Sequence, residues 1–131
     1  MVLQAHWAKV ISVADVSDDY ILDKALMARI QSHRSPAGDY LAQNSTIGLP
    51  LWGEVATSII ADPTLITKSR EVTMDVETDH GMDYGRTVIG PIDAKPRFGP
   101  ANVTIIQAID GKRFVDELVA AVQTDLRSKR P

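Results

Sequence analysis

The sequence predicts a mixed α/β or α+β fold in a single small domain, and three features point to it. Residues 70–79 (REVTMDVETD) alternate apolar and polar side chains, as a half-buried strand does. Asn102–Ile109 (NVTIIQAI) is rich in β-branched side chains, the composition of a strand. Residues 19–33, and the stretch after Asp110, instead space their apolar residues by three and four, the period of a helix with one buried face.

Taken in order, residues 8–13 (AKVISV) predict a first, β-branched strand. Asp15, Ser17 and Asp18 offer side-chain oxygens that can cap a helix, and residues 19–33 follow as that helix. Its buried face carries Ile21, Leu22, Ala25, Leu26, Met27 and Ile30. Ser35-Pro36 starts a second, shorter helix over 36–43, because proline suits a first helical turn. Residues 44–48 (NSTIG) form a turn. Pro50 opens a third helix to about residue 61, with Leu51, Val55, Ile59 and Ile60 on one face. Asp62-Pro63 ends it, since the residue before proline avoids helical geometry.

In the strand over 70–79, Val72, Met74 and Val76 face one way, and Glu71, Thr73, Asp75 and Glu77 the other. A glycine-containing turn over 80–85 leads to a short strand at 86–89, then a proline-rich loop over 91–100. Asp110-Gly111 turns the strongest strand into the last helix, where Phe114, Val115, Leu118, Val119, Val122 and Leu126 make an apolar stripe. The resulting order is βαααβββα, within one domain over 1–131.

Bulk composition narrows the function. A hydrophobic share of 44% against 24% charged residues is that of an ordinary globular protein. A net charge of −3 argues against a nucleic-acid partner, which calls for a concentrated positive surface. The one basic cluster, Arg127, Lys129 and Arg130, reads as a solvated end to the last helix. Without cysteine there is no disulfide framework, thiolate metal site or thiol nucleophile, which fits a cytoplasmic protein. No apolar run is long enough to span a bilayer, and residues 1–10 lack the apolar core of a signal peptide, so no membrane partner is expected.

Few residues invite chemistry. Asp75, Glu77, Asp79, His80 and Asp83 form an acidic cluster whose oxygens could hold a hard cation such as calcium. The same pattern arises on any solvated strand face, and no calcium-loop signature accompanies it. His6, His33 and His80 lie far apart and make no paired metal motif. There is no nucleophile elbow, phosphate loop or dinucleotide fingerprint. Trp52 stands at the start of the third helix, where a side chain can line a pocket; the large area tryptophan buries makes a core anchor the simpler reading.

Three stretches together resemble the inosine–uridine-preferring nucleoside hydrolase family. They are residues 49–67 (LPLWGEVATSIIADPTLIT), 74–88 (MDVETDHGMDYGRTV) and 100–122 (PANVTIIQAIDGKRFVDELVAAV). With the upstream helices in the same layout, the resemblance covers nearly the whole chain and places it in the C-terminal part of that fold. It implies hydrolysis of the N-glycosidic bond of ribonucleosides on a bound calcium ion, which templates the sugar and activates water. The transition state implied resembles an oxocarbenium ion.

The chain departs from that pattern at the metal. The family's D-x-D-x-x-x-D-D motif does not occur; residues 15–19 (DVSDD) have the wrong spacing and read as helix capping. The family's Asn/Glu/Phe-containing ribose-binding segment is also missing. Trp52-Gly53 stands where many members carry His-Asp, and glycine offers no side-chain oxygen to a metal. The resemblance therefore implies a truncated nucleoside-hydrolase-like fragment or subunit with no catalytic residue, metal ligand or cofactor of its own. Trp52 would line the nucleobase end of a pocket, and Tyr40, on the preceding helix, would be a second pocket residue. The partner expected is a second copy in a homo-oligomer or a separate N-terminal half, with a nucleoside as the ligand. The alternative is a non-enzymatic, oligomeric interaction or structural module that reuses the fragment.

Overall fold

β-Branched runs and capped amphipathic segments divide the chain into strands and helices much as their patterns predict. The computed structural model describes residues 10–90 and 102–124, with Val10, Asp75 and Asn102 described in the backbone alone. Expectations for residues 8–9, His6, the loop 91–100, Leu126 and the basic cluster at 127–130 lie outside the described residues. The elements are β1 (Val10–Ser12), α1 (Ala14–Ser17), α2 (Lys24–Gln31), α3 (Pro36–Asn44), α4 (Trp52–Ala61), a 3-10 turn (Pro63–Leu65), β2 (Ile66–Val76), β3 (Thr87–Gly90), β4 (Asn102–Ile109) and α5 (Gly111–Gln123).

The four strands make one mixed sheet in the order β1-β4-β2-β3. β1 lies parallel to β4, with Val10 opposite Val103 and Ser12 opposite Ile105. β2 runs antiparallel to both β4 and β3. The fold is thus a mixed α/β one, as the sequence predicts.

β4 is central because both of its faces are apolar. Successive residues of a strand point to opposite faces. Ile106 joins one buried cluster with Val16, Leu22, Leu26, Ile30, Val55, Ile59, Leu65 and Phe114, which gathers all the longer helices except α3. Ile105 joins Val103 and Val72 in a second cluster, with Met74 packed against it. Tyr20 meets Phe114 edge-on at a ring-centroid distance of 5.0 Å, sealing the first cluster beside the start of α5.

Capping chemistry fixes the helix starts. Asp23 accepts from Leu26 N–H at 2.7 Å at the head of α2. Ser35 accepts from Gly38 N–H at 3.0 Å and donates its hydroxyl to Val122 O at 2.7 Å, so this buried group both caps α3 and ties it to α5. Asp110 accepts from Arg113 N–H at 3.1 Å to begin α5.

Four expectations need correction. The helix expected over 19–33 is only α2 (Lys24–Gln31), preceded by extended backbone, and a short helix not expected, α1, lies upstream of it over Ala14–Ser17. Leu22, Leu26 and Ile30 keep their four-residue spacing and all are buried, but Leu22 enters the core from extended backbone; Asp23, not Asp15, Ser17 or Asp18, is the cap of α2. Secondly, α4 starts at Trp52, and Ile60 is 75% exposed, a quarter-turn away from the Leu51, Val55 and Ile59 face. Thirdly, β2 begins at Ile66, because polar Lys68 and Ser69 still find partners on β4 through register shifts. Lastly, the face of Val72, Met74 and Val76 is buried only where β4 covers its neighbourhood, and Val76 is exposed at the outer end.

Candidate functional site

The backbone around Trp52 is built by two extended segments, one of them placed inside the helix expected over 19–33. Residues 20–22 and 48–51 run side by side: Leu22 N–H donates to Leu49 O and Gly48 N–H to Leu22 O, each at 2.8 Å, and Leu51 N–H donates to Tyr20 O at 2.9 Å. Ile21 and Pro50 form the bridge between them. Gly48 turns the chain with φ +94°, a left-handed conformation that glycine adopts without a side-chain clash. Leu22 and Leu51 point into the core, while Ile21 and Leu49 stay on the surface. This ribbon launches α4, whose N-cap, Leu51, has no side-chain cap.

Trp52 is the first residue of α4 and is 57% exposed, so it is not the core anchor its size suggests. Its indole Nε1–H donates to Asp18 Oδ1 at 2.6 Å. Asp18 is the C-cap residue of α1, which is seated by buried Val16 and Ser17. Gly53 follows, and a Cβ placed there meets nothing within 4 Å. The helix start is therefore an exposed aromatic ring, anchored by one carboxylate, beside open space. A partner 34 residues away carries no sequence signal, which is why Asp18 reads as a cap when the sequence is taken alone.

Tyr40 lies on α3 and is 66% exposed. Among the described residues no ring contact or hydrogen bond joins it to Trp52. Its backbone carbonyl accepts from Asn44 Nδ2 at 2.8 Å.

The acidic cluster sits on the β2–β3 hairpin, where Glu77, Asp79, His80 and Asp83 meet local partners. Asp79 N–H donates to Glu77 Oε1 at 3.1 Å, Arg86 pairs with Asp83 at 3.2 Å, and His80 stacks on Tyr84 at 4.7 Å between centroids. His33 is exposed at the end of α2. Among the described residues no three His, Asp or Glu side chains converge as a metal site requires. At α4, Gly53 has no side-chain oxygen, Oδ1 of the nearby Asp18 already accepts from the indole, and Glu54 is the acid of the first turn. Calcium takes six to eight oxygen ligands, so the described side chains do not fit the ion that the family resemblance implies.

Elsewhere the surface is held by ion pairs. Asp116 bridges Arg29 at 2.7 Å and Lys112 at 2.8 Å; the Lys112 hydrogen bond, then that of Arg29, hold its carboxyl below the usual range. Arg113 clasps Asp62, Thr64 and Glu117, fastening α5 to the 3-10 turn. A groove between α4 and α5 is lined by Gly53, Glu54, Thr57, Ser58, Glu117 and Leu118 among others, and brings no cluster of reactive groups together. Among the described residues no helix is long and apolar enough to cross a membrane.

No family model and no curated relative matches this sequence. Among solved structures the chain is similar to an inosine-guanosine nucleoside hydrolase (IG-NH), with a TM-score of 0.70 and 16% identity. The match covers 90% of this chain and 40% of that one. The likeness is one of fold: the chain is nucleoside-hydrolase-like, spans two-fifths of the neighbour's length, and is consistent with a C-terminal portion of such a fold.

Proposed function

We propose that this chain is a nucleoside-hydrolase-like fragment or subunit that does not hydrolyse nucleosides by itself. The observation that carries the reading is the α4 start: within a nucleoside-hydrolase-like fold, Trp52-Gly53 presents an aromatic ring and an empty space, and Gly53 has no carboxylate to offer a metal. Trp52 is its pocket residue toward a nucleobase, and Tyr40 a second one from α3. Activity belongs to an assembly in which other polypeptide supplies the sugar-holding and metal-holding groups.

The purified chain, with calcium added, is expected to leave inosine, guanosine, uridine and a nitrophenyl riboside intact. Robust turnover by the single chain would overturn the reading. Gly53→Asp adds a further test. The open space accepts the carboxylate without a clash, and an acid in the first turn of a helix stabilises it by about 0.3–1 kcal/mol. Calorimetry should still show no calcium binding, because one carboxylate falls far short of the ligand set.

A second reading is favoured by exposed Ile21, Leu49, Trp52 and Ile60: a non-enzymatic module that associates through apolar surface. It predicts a homo-oligomer by light scattering, and a clean monomer at micromolar concentration would count against it.

A further inference from the structure

We propose that Asp18 is a positioning residue for Trp52, fixing the indole so that it can meet a ligand only through its ring face. The proposal rests on the reading of Trp52 as a pocket residue, and adds to it which part of the ring is offered and what holds it there.

A tryptophan more than half exposed has little packing to select one rotamer, so something else must hold it. The bond to Asp18 does so. At 2.6 Å it is short, as bonds to an ionised acceptor are. Asp18 has a firm mount, because Val16 and Ser17 of α1 are buried at 1% and 6% exposure, and α1 packs on β4 and α4. No side chain caps α4, and although Glu54 stands in its first turn, the indole N–H is given to Asp18.

Two consequences follow. The single polar atom of the indole is spent on Asp18, so Trp52 has no N–H left to donate to a ligand. What remains is the π face, next to the open space over Gly53. Such a face recognises a flat heteroaromatic ring by stacking, with little regard to its hydrogen-bonding pattern. Trp52 is thus a wall and not a proton or hydrogen-bond donor.

The indole N–H resonance tests this in the full chain with Trp7→Phe, which leaves Trp52 as the only tryptophan. The Trp52 N–H should be displaced downfield and protected from exchange with water. Asp18→Leu should remove the displacement and speed exchange by roughly tenfold, the loss of a hydrogen bond to a charged group. Asp18→Asn, which keeps an acceptor oxygen, should restore most of it. Thermal melts should stay close together across the three proteins, since both side chains are exposed. An unprotected N–H in the parent, unchanged by Asp18→Leu, would overturn the assignment. Hypoxanthine then serves as the probe: it should shift the ring C–H resonances of Trp52 and leave the N–H in place. Movement of the N–H away from its Asp18-bound position would also overturn the proposal. Absence of any shift would remove Trp52 from the pocket, while the exchange result still decides what Asp18 does.

Discussion

Gly111 is where a single missing methyl group matters most. It opens α5 directly under Tyr20, and a Cβ there would sit 2.5 Å from the phenol oxygen and 2.9 Å from Cε1. The ring cannot swing aside freely, because it packs edge-on against Phe114. Gly111→Ala should therefore destabilise the chain by about 1–3 kcal/mol through overpacking, despite alanine's better helix propensity. Urea unfolding checks this, and Gly111→Ala combined with Tyr20→Phe should lose less than the two single changes summed, as the phenol oxygen is the nearest clash. Tyr20 also sets an alkaline limit. Burial, then Asp19 and Asp110, raise its pKa. A phenol whose folded pKa lies above its unfolded one contributes stability below the unfolded value and loses it as pH rises through the folded one. The urea midpoint should fall on that alkaline side, and Tyr20→Phe should flatten the fall. Lys112, raised by its bond to Asp116, acts in the same direction but is fully solvated.

At the scale of elements, α5 is held by one face and tolerates change on the others. Phe114 is wholly buried in the main cluster, and Phe114→Ala should cost about 3–5 kcal/mol in urea unfolding. Ile60→Ser on α4, by contrast, should stay within about 0.5 kcal/mol, since the residue already faces water. The pair also shows what was legible in sequence. β4, α3 and α5 start where their pattern and caps predict, because each signal is local: a β-branched run, Ser35-Pro36, Asp110 before Gly111. The helix over 19–33 was illegible because Tyr20–Leu22 takes its hydrogen bonds from residues 48–51, a pairing that no window of sequence contains. Trp52 was recognisable as the opening of α4 from Pro50 and the helical spacing that follows. Its exposure and its anchor were not, since both depend on Asp18 arriving from another element.

For the molecule as a whole, the sheet and the helices divide the labour. Helices α2, α4 and α5 close one cluster against the Ile106 side of β4, and Val72, Val103 and Ile105 make a smaller one on the opposite side. Surface apolar side chains are left at the ribbon that launches α4. If association runs through that ribbon, joint Ile21→Ser and Leu49→Ser substitution should yield a monomer by light scattering with the melting temperature nearly kept. An unchanged assembly would place the contact elsewhere.

The parallel partnership of β1 and β4 sets a timetable for synthesis. Val10 leaves the ribosome long before Val103, yet the two must lie side by side in the finished sheet. β1 has to wait, with its hydrogen-bonding groups served by water, until β4 has emerged. Closing so long a loop is slow, and a waiting strand is open to the wrong neighbour. Aggregation during expression should therefore ease when translation is slowed or the temperature lowered, with no change in the stability of the finished protein.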